Sequence, residues 1–414
     1  MKLWAKILLG LFCGVVLGNL VPEFAIKFKP IGDLFIRAIK MLIVPLIFSS
    51  LLVGVAGMKD PKKMGRVGLK TFGLYLLTTA VAITIGLTIG TLLEPGAGVS
   101  LNPSVTAKEI KQAPSFVETL LSTVPKNPAK ALTEGNVLQI IVFAILLGIS
   151  LVLAGKPGEP VIKVMNGIAE AMYKMTAMVM ELAPYGVFAL MASVAAQYGL
   201  DIIIPLIKVL FGVYLGCIIH ALVTLGGSVA FIARLNPIPF FQGIVDALAV
   251  AYTTASSSGT LPITIRCARR NLGVSDSISS FVLPLGATIN MDGTAMYQGV
   301  AALFIAQAYA IDLTFGDYAT IILTSTLASI GSAGVPGAGL IMLTLVLNSV
   351  GLPVEGIAII AGIDRILDMA RTTVNVVGDC MVTVLVAKSE GEFDKKAYNI
   401  PRNLQTPDYS KLET

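Results

Sequence analysis

Charge is scarce in this 414-residue chain: Asp, Glu, Lys and Arg make up 13% of it, against 55% hydrophobic residues. A mean hydropathy of +0.83 excludes a string of soluble globular domains and points to lipid as the main solvent. The chain has one histidine, His220, in an apolar segment. That scarcity argues against an intramembrane serine hydrolase built on Ser256, Ser257 or Ser258, because a hydroxyl nucleophile needs an adjacent base. The four cysteines, Cys13, Cys217, Cys267 and Cys380, lack the paired loop positions of a disulfide framework and the spacing of metal ligands, and read as free, buried thiols. No small-x-small cleavage site follows the first apolar run, so residues 1–21 read as a retained helix rather than a leader.

What is present is long apolar sequence. A spanning helix needs roughly 20 apolar residues, and such stretches recur from Leu8 to Ala387. Residues 4–20, 31–58 and 67–93 predict the first three helices. Lys59, Lys62, Lys63, Arg66 and Lys70 cluster between the second and third. The net charge of +5 is thus loop charge rather than a nucleic-acid surface, and it places the N-terminus and this loop in the cytoplasm. A polar loop is predicted over 94–135, with Pro103, Pro114, Pro125 and Pro128. Apolar stretches follow at 137–153, 160–196 and 202–232, and Glu181, Pro184 and Gly186 predict broken or bent helices there. After Lys388 the polar tail, with Glu390, Glu392, Lys395, Lys396, Pro401 and Pro407, reads as flexible.

From Pro237 onward the apolar runs are interrupted at their middles by small and polar residues. Two interruptions resemble each other, 253–260 (TTASSSGT) and 328–337 (ASIGSAGVPG). In lipid a non-helical backbone survives only where it is buried in protein or lines a cavity, so both tips are candidate ligand sites. Paired short, Gly/Pro-interrupted segments are also the mark of re-entrant hairpins in a transporter. The plainer alternative is two ordinary external turns.

Between the tips, Gly286, Thr288, Asn290, Asp292, Gly293 and Thr294 lie inside an apolar run over 278–310. A charge at that depth is costly and usually functional. Gly293 is expected to weaken the helix and free carbonyls, which with Asn290 and Asp292 would make a hard-oxygen shell for a small cation. A polar kink satisfied by neighbouring helices is the structural alternative. The last apolar segment carries Asp364, Arg365, Asp368, Arg371, Thr372, Asn375 and Asp379. On a helix Asp368, Arg371, Thr372, Asn375 and Asp379 share one face. Arg371 offers a fork for a carboxylate and Asp368 an anion for an ammonium group, together describing a zwitterion with an extra carboxylate. The alternative is an Asp368–Arg371 pair that only neutralises itself.

The run 290–294 (NMDGT), the Ser256–Ser257–Ser258 tip and the run 368–379 (DMARTTVNVVGD) resemble the dicarboxylate/amino acid:cation symporter family, across essentially the whole chain. The resemblance implies an all-α membrane protein with eight transmembrane helices and two re-entrant helical hairpins, arranged as inverted repeats. It implies a homotrimer of scaffold and elevator-type transport domains, with the second hairpin as gate. Helices one and two (1–66) and the loop with helices four and five (96–200) would be scaffold. Helix three (67–95) and residues 201–388 would move, and 389–414 would form a cytoplasmic tail. The expected location is the plasma (cell inner) membrane, with both termini cytoplasmic.

The resemblance also implies binding residues. Arg371 would take the substrate side-chain carboxylate and Asp368 its amino group, with Ser257, Met291, Thr294, Val335, Gly339, Thr372 and Asn375 holding the rest. One sodium would use Gly286, Asn290, Asn375 and Asp379; another Thr288, Ser329, Ile330 and Ser332; a third Tyr75, Thr78, Thr79, Asn290 and Asp292. No cofactor is expected beyond sodium as coupling ion. Gln298 stands where the animal members have a glutamate tied to proton and potassium coupling, so neither is expected. Ala255 and Met369 stand where an arginine occurs in other members, and Arg365 would substitute for it from one turn before Asp368. The expected function is sodium-coupled uptake of aspartate or glutamate. A C4-dicarboxylate carrier is the nearest rival, which Asp368 argues against, and a pure channel would not need a zwitterion site.

Overall fold

Proline and glycine punctuation divides the apolar sequence into helices, and in the computed structural model these are the regular structure of the described residues, apart from an isolated bridge between Val274 and Phe393. The structure describes residues 3–56, 61–99, 121, 124–330, 332, 334 and 336–400. The first half comprises α1 (Leu3–Leu20), α2 (Lys29–Ala56), α3 (Pro61–Leu93), α4 (Val137–Ala154), α5 (Glu159–Glu181) and α6 (Ala183–Tyr198). Helix α3 starts earlier than predicted, so Lys62, Lys63 and Arg66 lie on its first turns rather than in a loop. Within the predicted polar loop, Pro128–Glu134 is a short helix capped by Asn127; Pro103 and Pro114 lie outside the described residues. The expected break near Glu181 and Pro184 falls at Leu182, with Pro184 in the first turn of α6, where a missing N–H costs no hydrogen bond.

Helix α1 lies along α6, and α2 packs on α4, α5 and α6. The α1–α6 contact rests on Gly10, Gly14 and Gly18, four residues apart. A Cβ at these positions would meet the carbonyl oxygens of Pro184, Phe188 and Ala192 at 2.4, 2.5 and 2.6 Å. Such a stripe of small residues lets two backbones touch, a packing mode suited to lipid, where apolar burial does not drive helices together. Of the cysteines, Cys217, Cys267 and Cys380 are buried, but Cys13 on α1 is exposed, correcting the expectation for that thiol.

The second group is α7 (Ile203–Ile219), α8 (Pro237–Thr254), α9 (Ser257–Arg270), α10 (Asp276–Ile289), α11 (Asp292–Ala308), α12 (Phe315–Ile330), α13 (Ala338–Ser349) and α14 (Asp364–Ser389). Helix α7 continues in wider π turns over His220–Gly226 and Ser228–Ile232. Helix α14 packs against α8, α9, α10 and α11, and α3 lies along α11. The stretches Gly65–Leu93, Ile203–Ile232 and Asp364–Ser389 are long and apolar enough to cross a membrane, with shorter apolar helices among the rest.

Two further expectations change. The run over 278–310 does break, but at Asn290 and Met291, which leave helical geometry, while Gly293 sits in the first turn of α11. Gly293 is there for space, since a Cβ would fall 2.4 Å from the Arg371 carbonyl oxygen. The segment after Lys388 is also not loose up to residue 400. The Asp394 N–H donates to the Gly273 carbonyl at 2.7 Å, and Ser275 donates to the Glu392 carboxylate at 2.6 Å. Tyr398, buried, donates to the Asn236 carbonyl at 2.7 Å, and Glu390 pairs with Arg66 and Lys70 of α3. Pro401 and Pro407 lie outside the described residues.

Candidate functional site

Helix α14 buries Asp364, Asp368, Arg371, Thr372, Asn375 and Asp379, groups that would unfold an isolated apolar helix bundle unless paired. Pairing is what the structure provides. Arg371 reaches Asp364 Oδ1 through Nη1 at 2.9 Å and Asp368 Oδ1 through Nη2 at 2.8 Å, with its guanidinium 4.1 Å from the centre of the Tyr297 ring. Gly339 leaves room for it, since a Cβ there would meet Nη1 at 2.8 Å. Asp368 Oδ2 accepts from the Gly337 N–H at 2.9 Å, which ties the second tip to α14.

The two tips touch. Ser256 Oγ donates to the Gly334 carbonyl at 2.8 Å, and the Ser258 N–H donates to the same oxygen at 3.1 Å. The first tip turns through Ala255 in left-handed geometry, and Ser256 then caps α9 by accepting from the Gly259 N–H. Beneath the tips, Ser257, Met291, Thr294, Gly339, Asp368, Thr372 and Asn375 border one small cavity, with room for about one water molecule. Val335 lies outside the described residues. Arg371 sits deeper, fully buried.

The break between α10 and α11 carries a second set of polar groups. Asp292 Oδ1 accepts from Thr79 at 2.7 Å and Thr78 at 3.3 Å, and Oδ2 faces His220 Nε2 at 3.0 Å. Asn290 Nδ2 donates to Asp379 Oδ1 at 2.9 Å and to the Asn375 carbonyl at 3.3 Å, while its Oδ1 is buried without a partner. Asn375 Oδ1 accepts from the Gly293 N–H at 2.8 Å. Tyr75 is not on Asp292: its hydroxyl donates to the Val282 carbonyl at 3.1 Å. At Gly286 a Cβ would lie 2.4 Å from both the Tyr75 hydroxyl and Asp379 Oδ1, so this glycine lets those oxygens close over the backbone. The Tyr75, Asn290, Asn375 and Asp379 groups thus form one cluster, and Thr78, Thr79 and Asp292 a neighbouring one.

The remaining candidates lie around the second tip. Ser329 Oγ donates to the Thr326 carbonyl at 2.8 Å and approaches the Ile289 carbonyl at 3.3 Å; Ile330 is buried beside it. Ser332 Oγ is buried without a partner, and Thr288 donates within its own helix to the Leu285 carbonyl at 2.9 Å. Carboxylate, amide, hydroxyl and carbonyl oxygens of this kind suit a hard cation. The orphaned oxygens of Asn290 and Ser332 give such an ion unsatisfied acceptors to meet.

Three residues escaped the sequence reasoning in their actual roles. Asp364 is a second partner of Arg371, and its spacing of seven, two helical turns, was a legible signal. His220 is the hydrogen-bonded helix residue that its apolar setting predicts, but its partner, Asp292, comes from a distant segment. Arg365 lies not in the cavity but against the first hairpin, donating to the Thr253 and Thr254 carbonyls.

An apolar helical protein with broken helices, touching tips and a buried, self-paired polar core has the make-up of a membrane protein. The chain belongs to the Sodium:dicarboxylate symporter family, whose profile matches residues 3–389. It is 40% identical over 403 residues to the proton/sodium-glutamate symport protein of Geobacillus stearothermophilus, covering 94% of this chain and 95% of that one. It is 40% identical over 411 residues to the proton/glutamate-aspartate symporter of Escherichia coli, covering 94% and 93%. It is 37% identical over 403 residues to a C4-dicarboxylate transport protein of Laribacter hongkongensis, covering 95% and 90%. Membership makes it a multi-pass membrane transporter.

Proposed function

We propose that this chain is a secondary active symporter that couples inward sodium movement to uptake of aspartate or glutamate across the plasma (cell inner) membrane. The observation that carries the reading is the juxtaposition of a buried guanidinium and a buried carboxylate, Arg371 and Asp368, beside the small cavity under the tips. A fork for the side-chain carboxylate and an anion for the ammonium group fit an acidic amino acid. Names of relatives support the same substrates.

Sodium is the proposed ion because the clusters around Asn290, Asp379 and Asp292 offer hard oxygens, that of Asn290 unsatisfied, as is the Ser332 hydroxyl at the second tip. Some relatives are named for protons, so the ion is part of the test. The proposal includes a homotrimer, eight spanning helices and two re-entrant hairpins (α8–α9 and α12–α13). A scaffold of α1, α2 and α4 to α6 would stay fixed while the other helices move as an elevator and the second hairpin opens. Both termini would face the cytoplasm.

A second reading, a C4-dicarboxylate carrier, is favoured by the name of the Laribacter hongkongensis relative. Calorimetric titration of purified protein with aspartate, glutamate, succinate and serine at several sodium concentrations separates the two. Aspartate or glutamate ranking first, with affinity rising steeply with sodium, supports the proposal. Succinate ranking first, or affinity indifferent to sodium at fixed ionic strength, refutes it.

A further inference from the structure

The first two turns of α14 hold four buried charges, Asp364, Arg365, Asp368 and Arg371, two of each sign. Arg371 serves both acids at once, at 2.9 and 2.8 Å. Arg365, 8% exposed, spends only one of its nitrogens: Nη2 donates to the Thr253 and Thr254 carbonyls at 3.3 and 3.2 Å, at the C-terminal end of α8. Its Nε and Nη1 are buried without partners. With Asp364 and Asp368 it borders a second small cavity, closed by Ile7 of α1 and Phe35 of α2. Arg365 and Asp368 stand three residues apart, a spacing at which helical side chains meet.

Both acids of this cluster are ion-paired through Arg371. A substrate carboxylate that claims Arg371 must loosen one of them, and a buried carboxylate stripped of its partner is strongly unfavourable. Donors to replace Arg371 exist one turn away, already desolvated, on a side chain with no other use for them.

We propose that Arg365 is the balancing charge of this quartet, and that its free N–H groups take over the share of Asp364 and Asp368 that Arg371 gives up to a substrate carboxylate. Substrate binding then exchanges one internal ion pair for another instead of breaking one. Because Arg365 also holds the end of α8, the exchange is felt at the first hairpin. The inference rests on the acidic-substrate reading above.

The test is calorimetric titration of L-aspartate and L-glutamate in saturating sodium chloride into wild type, Arg365→Gln, Arg365→Lys and the double variant Asp364→Asn/Arg365→Gln. Thermal melts without substrate report folding. Arg365→Gln is expected to weaken binding by about tenfold or more, as loss of a coupled charge does. The double variant, which removes the unbalanced acid along with the base, is expected to recover to within about threefold of wild type. If Arg365 merely clamps α8, the double variant stays as weak as the single one, and the proposal is overturned. Unchanged affinity in Arg365→Gln overturns it too. Should Arg365→Gln not fold, Arg365→Lys keeps the charge, and the proposal fails if the double variant binds more than about tenfold weaker than it. Wild type that binds neither amino acid overturns the substrate reading and this proposal together; wild-type binding with an indifferent Arg365→Gln overturns this one alone.

Discussion

The α1–α6 contact and the surroundings of α14 both bury a helix, and they do so with opposite chemistry. Along α1, glycines at positions 10, 14 and 18 bring backbone against backbone with no charge involved. Around α14, eight polar or charged side chains are buried, and the carboxylates, Arg371 and Asn375 are held by other polar groups. Shape alone holds the first contact, so it has one tight arrangement. Pairing holds the second, and pairs can be exchanged for others of equal strength. On the proposed function, motion and ligand exchange belong in the region whose stability is electrostatic and whose helices are already broken.

The largest test of that contrast is Arg371→Ala. It strands Asp364 and Asp368 in the interior, at a cost of about 3–5 kcal/mol, and removes the proposed carboxylate fork. Aspartate binding should disappear from calorimetry and the melting temperature should fall; a folded variant that still binds would break the comparison. Next comes Gly14→Leu. Its side chain has to displace the Phe188 carbonyl, costing about 1–3 kcal/mol or more. The melt should drop while affinity in the folded protein stays within about twofold, because distant sites act independently. A parallel loss of affinity would mean that the two regions are not separable.

Thr79→Val acts on one bond to a charged group, 2.7 Å from Asp292, worth about 1.5–3 kcal/mol. Sodium titration of aspartate binding should shift by about tenfold, with little change for Thr84→Val on the exposed face of the same helix. Ser256→Ala removes the side-chain bond between the tips, worth about 1 kcal/mol, leaving that of the Ser258 N–H, and should speed aspartate dissociation by about fivefold in stopped flow. The smallest effect belongs to Glu390. The hydrogen bonds from Arg66 and Lys70 hold its carboxyl below the ordinary range. A lowered folded value means stabilisation that is present at neutral pH and is lost as pH falls through that value. Arg66 is largely exposed, so solvent screens much of it. Glu390→Gln should melt slightly earlier than wild type at neutral pH and identically in acid; a constant difference across that range would show that the pair does not titrate with folding.

Much of this was visible in the sequence, for reasons that are local. Apolar runs, the prolines and glycine that end them, and the three-and-four spacing of Asp368, Arg371, Thr372, Asn375 and Asp379 are properties of a chain within one helix. So was the break in the run over 278–310, although its position was not. Gly293 looked like the weak point because glycine destabilises helices. The structure uses it to admit the Arg371 backbone and breaks two residues earlier, at Asn290 and Met291. The tail misled in the same way. Its polar composition suggested a free end, but Tyr398 and Asp394 find partners on Asn236 and Gly273, more than a hundred residues away.

By itself, then, the sequence determined a helical membrane protein of this family, the two interrupted hairpins and the presence of a cationic and an anionic side chain on one face of the last helix. The helical membrane character, the interruptions and the shared face follow from periodicity and composition, which act over a few turns, and the family from the resemblance carried by the runs 290–294 and 368–379. Only the tertiary structure decided who pairs with whom: Arg371 with Asp364 as well as Asp368, Asp292 with His220, Arg365 with the end of α8, and one tip with the other. A buried charge takes whichever partner packing brings within about 3 Å, and no pattern along the chain encodes that distance.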